Sequence, residues 1–209
     1  MVRKDNYLIQ AQQAKQRFLT YDQEALIRKF QLSADDAYLY VPLLQQTYRI
    51  CRSTGNMQKL DGSNWLDGNT YEEVMPLLDL LCDSRNDRSL SGIWKNMQSF
   101  GLQFHQNLLE EERDPFAVLL DTDPDLLHRA AAELGAEPIR GGDIGYAFEL
   151  FEGLKIGLLF WYGDEEFSPR IRCLWDQNAK QYIRYETMYF AVSLLRRQIR
   201  SLGTQKTSL

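Results

Sequence analysis

Asp164-Glu165-Glu166 is the charge-dense loop that falls between two segments reading clearly as strands. Adjacent carboxylates can hold a hard cation such as magnesium or calcium, or a cationic ligand. The same residues also suit an ordinary tight turn, with Gly163-Asp164 at the corner and the glutamates as a solvated edge. Trp161, Tyr162 and Phe167 flank the loop and would either wall a pocket or anchor the turn against the core. Arg170 and Arg172 share one face of the following strand, and Arg184 comes next. They would neutralise the turn across the hairpin or, if free of carboxylates, form an anion site. Asp143 follows two glycines and precedes a strand. It would cap its own turn, or join the acidic turn if its strand pairs with the Lys155 strand, because antiparallel register brings those two ends together. The ligand-binding candidates are therefore Asp143, Trp161, Asp164, Glu165, Glu166 and Arg170. The sequence assigns no catalytic residue, metal or cofactor.

Other chemistry finds little support. Arg140-Gly-Gly-Asp-Ile-Gly145 is glycine-rich, but it follows no clear strand and opens no helix, as a phosphate loop must. His105 and His128 are the two histidines, and neither has a second ligand three or four residues on. His128 reads as solvent-facing. Neither a G-x-S-x-G motif nor a histidine-paired cysteine is visible. Cys51, Cys82 and Cys173 are widely spaced and odd in number, so they read as small buried hydrophobes in a reducing compartment.

The elements that must position the candidates are legible from periodicity. Residues 6–19 predict a helix with Tyr7, Leu8, Ala11, Ala14 and Phe18 on one face. Thr20 and Gln23 stand at capping-box spacing before a short helix ending at Phe30. Residues 37–44, 47–51 and 57–60 read as strands, with Pro42 limiting the first to an edge or its own end. Residues 61–69 read as loop. Thr70 and Glu73 form a second capping box ahead of Val74, Leu77, Leu78 and Leu81, where Pro76 predicts a kink or a late start. Ile93 to Phe104 is ambiguous. Asp123-Pro124 opens a helix that Gly135 closes.

Three strands follow, over 146–151, 155–162 and 170–175. Glu152-Gly153 joins the first two as a hairpin, and the apolar middle strand should be central. A final helix over about 184–202 carries Tyr185, Met188, Tyr189, Val192, Leu195, Ile199 and Leu202 on one stripe. Arg196, Arg197 and Arg200 would close it against the helix dipole, and Gly203 would end it. The fold class is α+β: an antiparallel C-terminal sheet packed by helices, with an N-terminal helical segment.

The 209 residues fit a single domain spanning 1–209. A net charge of −5 argues against a dedicated nucleic-acid face. The N-terminus shows no signal-peptide h-region, and the longest apolar run, Ile156 to Tyr162, is too short to span a bilayer. A cytoplasmic protein with no membrane contact is expected.

Gly142-Asp143, the run from Trp161 to Phe167, and Leu174-Trp-Asp176 followed by Ala179 and Glu186 carry a resemblance. The block from Gly142 to Leu195 resembles a family of uncharacterised bacterial and archaeal proteins, domain of unknown function 3786. The order of elements from Asp22 onward resembles it more faintly. Ser168, inserted between Phe167 and Pro169, departs from the family pattern, as does Trp175 in place of Phe. The resemblance implies a shared fold. Some relatives are joined to iron–sulfur modules of the corrinoid methyl-transfer type, which need clustered cysteines. This chain has none, so it would meet such a cofactor on another protein.

Three functional readings follow. The first is a module binding a small ligand or ion near Asp143, Trp161, Asp164 and Glu165. The second is a non-catalytic accessory to a partner carrying an iron–sulfur or corrinoid cofactor. The third, a metal-dependent enzyme, requires a further ligand cluster.

Overall fold

The computed structural model describes residues 2–101 and 114–204. The chain divides into two compact units, Met1–Ser89 with Lys180–Leu194, and Leu90–Ala179 with Leu195–Leu209. The architecture is α+β, with two antiparallel five-stranded sheets and an N-terminal helical segment. Among the described residues no helix is long and apolar enough to cross a membrane. His105 lies outside the described residues, as does the end of the 93–104 stretch.

The first unit begins with helices α1 (Val2–Phe18) and α2 (Gln23–Phe30). Ala11, Ala14 and Phe18 are buried as the periodicity requires, and Tyr7 stacks on Tyr71 at 4.8 Å, but Leu8 is 62 % exposed. The expected Thr20 cap is not made. Asp22 caps α2 instead, accepting from the Ala25 N–H at 3.1 Å, while the Thr20 hydroxyl donates back to the Arg17 carbonyl. Strands β1 (Ser33–Ala34), β2 (Tyr38–Leu43), β3 (Gln46–Cys51), β4 (Met57–Asp61) and β5 (Asn64–Leu66) form a meander in sequence order. The expected 61–69 loop thus contains a strand, returned by the turn at Gly62. Pro42 sits at the hairpin end of β2, beyond the two residues that pair with β1.

Helix α3 (Tyr71–Asp83) starts directly at its cap: the Thr70 N–H and hydroxyl both donate to Glu73 Oε2, at 2.7 and 3.2 Å. Pro76 lies inside the helix without delaying its start. The fully buried Asp79 accepts from Arg17 (2.8 Å) and from the Thr187 hydroxyl, and Asp83 pairs with Arg17 (3.0 Å) and Arg184 (2.8 Å). Burial pushes the Asp79 carboxyl above the usual range, against these hydrogen bonds. Arg184 therefore serves this unit and stands apart from Arg170 and Arg172.

The second unit contains strand β6 (Trp94–Asn96), a short 3-10 helix (Met97–Phe100), and helices α4 (Pro115–Thr122) and α5 (Asp125–Glu133). Strands β7 (Glu137–Pro138), β8 (Ile144–Phe151), β9 (Leu154–Trp161) and β10 (Arg170–Asp176) complete its sheet, in the order β6-β10-β9-β8-β7. The apolar β9 is central, as its composition demands. Glu152 and Gly153 both have positive φ (48° and 77°), giving the tight hairpin between β8 and β9. Helix α5 starts just after Asp123-Pro124. It ends where Gly135 turns left-handed (φ 61°) and the Ala136 N–H reaches the Ala131 carbonyl.

Helix α6 (Tyr185–Thr204) closes the chain. Met188 and Val192 in the first unit, and Leu195 and Ile199 in the second, are buried. Tyr185 and Tyr189 are half-buried and bond to each other through their hydroxyls at 2.7 Å. The helix runs on through Gly203, so no basic side chain occupies its last turn. Arg196, expected to serve the dipole, is instead buried against Asp114 at 2.9 Å.

Candidate functional site

Three carboxylates fix the backbone at the end of β9. Asp143 comes first. At Gly142 a side chain would meet the Phe160 carbonyl at 2.6 Å, and its φ is +68°, so only glycine suits the position. That close approach lets the Asp143 N–H donate to the Phe160 carbonyl (2.8 Å), and Asp143 Oδ2 accepts from the Tyr162 N–H at 2.9 Å. One residue on, Asp121 Oδ1 accepts from the Gly163 N–H at 3.0 Å. Asp164 Oδ1 then accepts from the N–H groups of Glu166 (2.9 Å) and Phe167 (2.7 Å), while its own N–H donates to the Phe167 carbonyl. The loop is thus an Asx turn held from outside by two further aspartates. Asp143 and Asp164 stand at the same end of the sheet, as antiparallel register predicts.

Two depressions flank this turn. A cleft of about 450 Å³ is lined by Asp143, Trp161, Tyr162, Asp164, Phe167, Ser168 and Arg170. A more open groove of about 690 Å³ lies between Val118 and Asp121 of α4 and residues 163–169, and it shares Asp164, Phe167 and Ser168 with the cleft. Of the six sequence candidates, Asp143, Trp161, Asp164 and Arg170 come together in the cleft. Glu165 and Glu166 border the groove and are exposed.

Arg170 and Arg172 do not pair with the acidic turn. Register sets Arg170 opposite Trp161, and the guanidinium carbons of Arg170 and Arg172 lie 4.6 and 5.5 Å from the Trp161 ring centroid. Both contacts are cation–π in kind. Arg170 makes no ion pair among the described residues. Asp164 shares the cleft but accepts from its own loop's N–H groups, and the two glutamates border the groove.

Asp121 and Val118 were not visible as site residues because helix α4 was not expected. A signal for it exists. Asp114-Pro115 repeats the Asp-Pro pattern at 123–124, and Asp114 Oδ1 accepts from the Phe116 N–H at 2.9 Å. His128 is exposed and its Nδ1 meets the Tyr146 hydroxyl at 2.8 Å. Among the described residues no three His, Cys, Asp or Glu side chains come together in a way that could hold a metal ion.

The cysteines are free and separate. Burial pushes the Cys82 thiol up to about 12 and raises Cys173 as well. Cys51 differs from the expected buried hydrophobe. It is half-buried, and hydrogen bonds from Ser53 and Thr54 bring its thiol down to about 7.

The third motif of the resemblance, Leu174-Trp-Asp176, is also structural. Trp175 is fully buried. Asp176 accepts from the Ser91 N–H and hydroxyl, the Gly92 N–H and the Asn178 N–H. Burial alone would raise its carboxyl, but the Asn178, Ser91 and Gly92 donors outweigh burial and hold it below the usual range.

Neither a curated protein nor a solved structure matches the chain. The family model for domain of unknown function (DUF3786) matches residues 22–198. The match takes in the first meander, α3, the second sheet and most of α6. The glycine-aspartate pair, the Asx turn and Asp176 all fall inside it as working parts of one scaffold, and the chain belongs to that family.

Proposed function

We propose that the protein is a binding module for a small organic anion with a planar or apolar body, held in the cleft beside the acidic turn. The observation that carries this reading is Arg170. Its guanidinium is exposed, stacked on Trp161 and unpaired with any carboxylate among the described residues. Arg49 of the first unit shows what a completed stack looks like. It lies between Tyr38 (4.1 Å) and Trp65 (4.5 Å), and its Nε donates to Gln58 Oε1 at 2.6 Å. Arg170 has the aromatic platform but no acceptor, so the fork of N–H donors is available to a carboxylate or phosphate.

The volume of about 450 Å³ lies in the usual range for small-molecule sites, roughly 300–1,000 Å³. Trp161, Tyr162 and Phe167 supply apolar walls, and Ser168 also lines the cleft. A hard cation is a poorer fit. Asp143 and Asp164 each hold backbone N–H groups, and a divalent ion takes six or more oxygens.

The test is a set of melting curves with aromatic carboxylates, nucleoside monophosphates, magnesium and calcium. One of the anions should raise the melting temperature, since ligand binding to the folded state stabilises it. Arg170→Ala should weaken that binding roughly tenfold to a hundredfold, as expected for losing charge-assisted hydrogen bonds of about 1.5–3 kcal/mol. A shift produced by magnesium or calcium and by none of the anions would overturn the reading.

A further inference from the structure

We propose that the anion held in the cleft also carries an ammonium group, an aromatic amino acid being the class that fits; this rests on the Arg170 reading above and narrows it. The cleft that holds Arg170 is lined as well by Asp143 and Asp164. Neither carboxylate pairs with Arg170 among the described residues, so the lining presents one positive and two negative side chains as separate groups. Each aspartate commits a single oxygen to the backbone. Asp143 Oδ2 accepts from the Tyr162 N–H at 2.9 Å, and Asp164 Oδ1 accepts from the Glu166 and Phe167 N–H groups at 2.9 and 2.7 Å. Asp143 Oδ1 and Asp164 Oδ2 accept from no donor among the described residues.

An ionised carboxylate is acceptor-only, so those two oxygens are open to a donor. A positively charged donor suits them, because charge-assisted hydrogen bonds are roughly twice as strong as neutral ones. A hard metal ion needs a larger oxygen set than two. An ammonium group brings three donors, which two aspartate oxygens and solvent can satisfy. The same aspartates discriminate against a ligand that is only an anion. Such a ligand gains the Arg170 contact and meets like charge on two further lining residues. An amino acid escapes that repulsion: its carboxylate takes the Arg170 fork and its ammonium takes the aspartates. Trp161, Tyr162 and Phe167 remain for its side chain, and aromatic walls favour a ring. Asp143 and Asp164 are already tied to the backbone, so binding orders little and its entropic cost is small.

The experiment is titration calorimetry of the full chain with L-phenylalanine, hydrocinnamate and phenethylamine, which share a ring and differ in their charged groups. L-phenylalanine should bind about tenfold or more tighter than either of the others, as expected for one further set of charge-assisted hydrogen bonds. Asp143→Asn with Asp164→Asn keeps an acceptor oxygen for each backbone N–H and removes both charges. In that variant the preference for L-phenylalanine over hydrocinnamate should vanish, and hydrocinnamate should bind more tightly than it does to wild type. Circular dichroism melting checks that the variant is folded, and the wild-type comparison stands without it. A wild type that binds hydrocinnamate as tightly as L-phenylalanine overturns the inference and leaves the Arg170 reading in place. So does a preference that survives in the double variant, which would put the ammonium elsewhere. If none of the three binds, the inference falls, and the nucleotide melting curves decide the Arg170 reading separately. Binding of L-phenylalanine that is undiminished in Arg170→Ala overturns both.

Discussion

Asp176 and Asp164 each organise a loop of the second unit by accepting backbone N–H groups, but in opposite surroundings. Asp176 is 7 % exposed and gathers the Ser91 N–H and hydroxyl and the Gly92 and Asn178 N–H groups. Asp164 is exposed and gathers the Glu166 and Phe167 N–H groups. The first region closes over its carboxylate, and four donors from half-buried Ser91 and Asn178 and from Gly92 converge on it. The second leaves aromatic rings and charged side chains standing in solvent on a fixed backbone. Similar local chemistry thus supports stability in one place and a presented surface in the other. The difference lies in what surrounds the carboxylate, not in the motif.

The sharpest way to break this comparison is Asp176→Ala. It removes the one acceptor shared by four donors around a buried carboxylate, so it should cost about 2–3 kcal/mol in denaturant unfolding. A loss similar to that of an exposed aspartate would show that the loop at Ser91 rearranges to water. The pH dependence has a definite sign. The folded carboxyl is held low, so its stabilisation is present above the unfolded value of about 3.9 and is lost as pH falls through the lower folded value. The variant should therefore lose less stability than wild type on acidification through that window.

The sequence made the hairpin register legible because alternation in β8 and β10, an apolar β9 and a two-residue turn at Glu152-Gly153 leave one pairing. That register alone brought Asp143 to the acidic turn. It could not reveal Asp121, which arrives from α4 at a separation of 42 residues. Nor could it choose between Trp161 and the glutamates as the seat of Arg170, since both lie within a long side chain's reach. Capping-box spacing points to Thr20, but Asp22 is the acceptor nearer the helix start and makes the cap. Gly203 suggests a helix end and so makes Arg196 a dipole partner, whereas the helix continues to Thr204. The side chain's burial against Asp114 depends on a tertiary contact that periodicity does not carry.

Asp164→Ala should have a smaller effect than Asp176→Ala. Its two N–H donors are at the surface and water can replace the lost acceptor, so about 1 kcal/mol is expected. The larger consequence should be order rather than stability. Amide exchange at Glu166 and Phe167 should accelerate, while exchange in β9 stays slow. If exchange at those two amides is unchanged, Asp164 is not what holds the turn, and the comparison with Asp176 fails on its second limb.

The smallest effect is expected from replacing the glutamates. Glu165 and Glu166 are exposed and form no ion pair with Arg170 or Arg172. Glu165→Gln with Glu166→Gln should therefore move stability by about 0.5 kcal/mol or less, as surface substitutions do. A cation site would behave differently in two respects. Its carboxylates would repel one another in the absence of metal, so removing two of them should raise the stability of the metal-free protein. The same change should also abolish any stabilisation by magnesium or calcium. The backbone geometry favours the first outcome, because Asp164 Oδ1 already serves the Glu166 and Phe167 amides. Melting curves of both proteins, each with and without metal, separate the two by sign and by metal dependence. A metal-induced rise in wild type that vanishes in the double variant would make the acidic turn an ion site. It would also move the functional centre from Arg170 to Glu165 and Glu166.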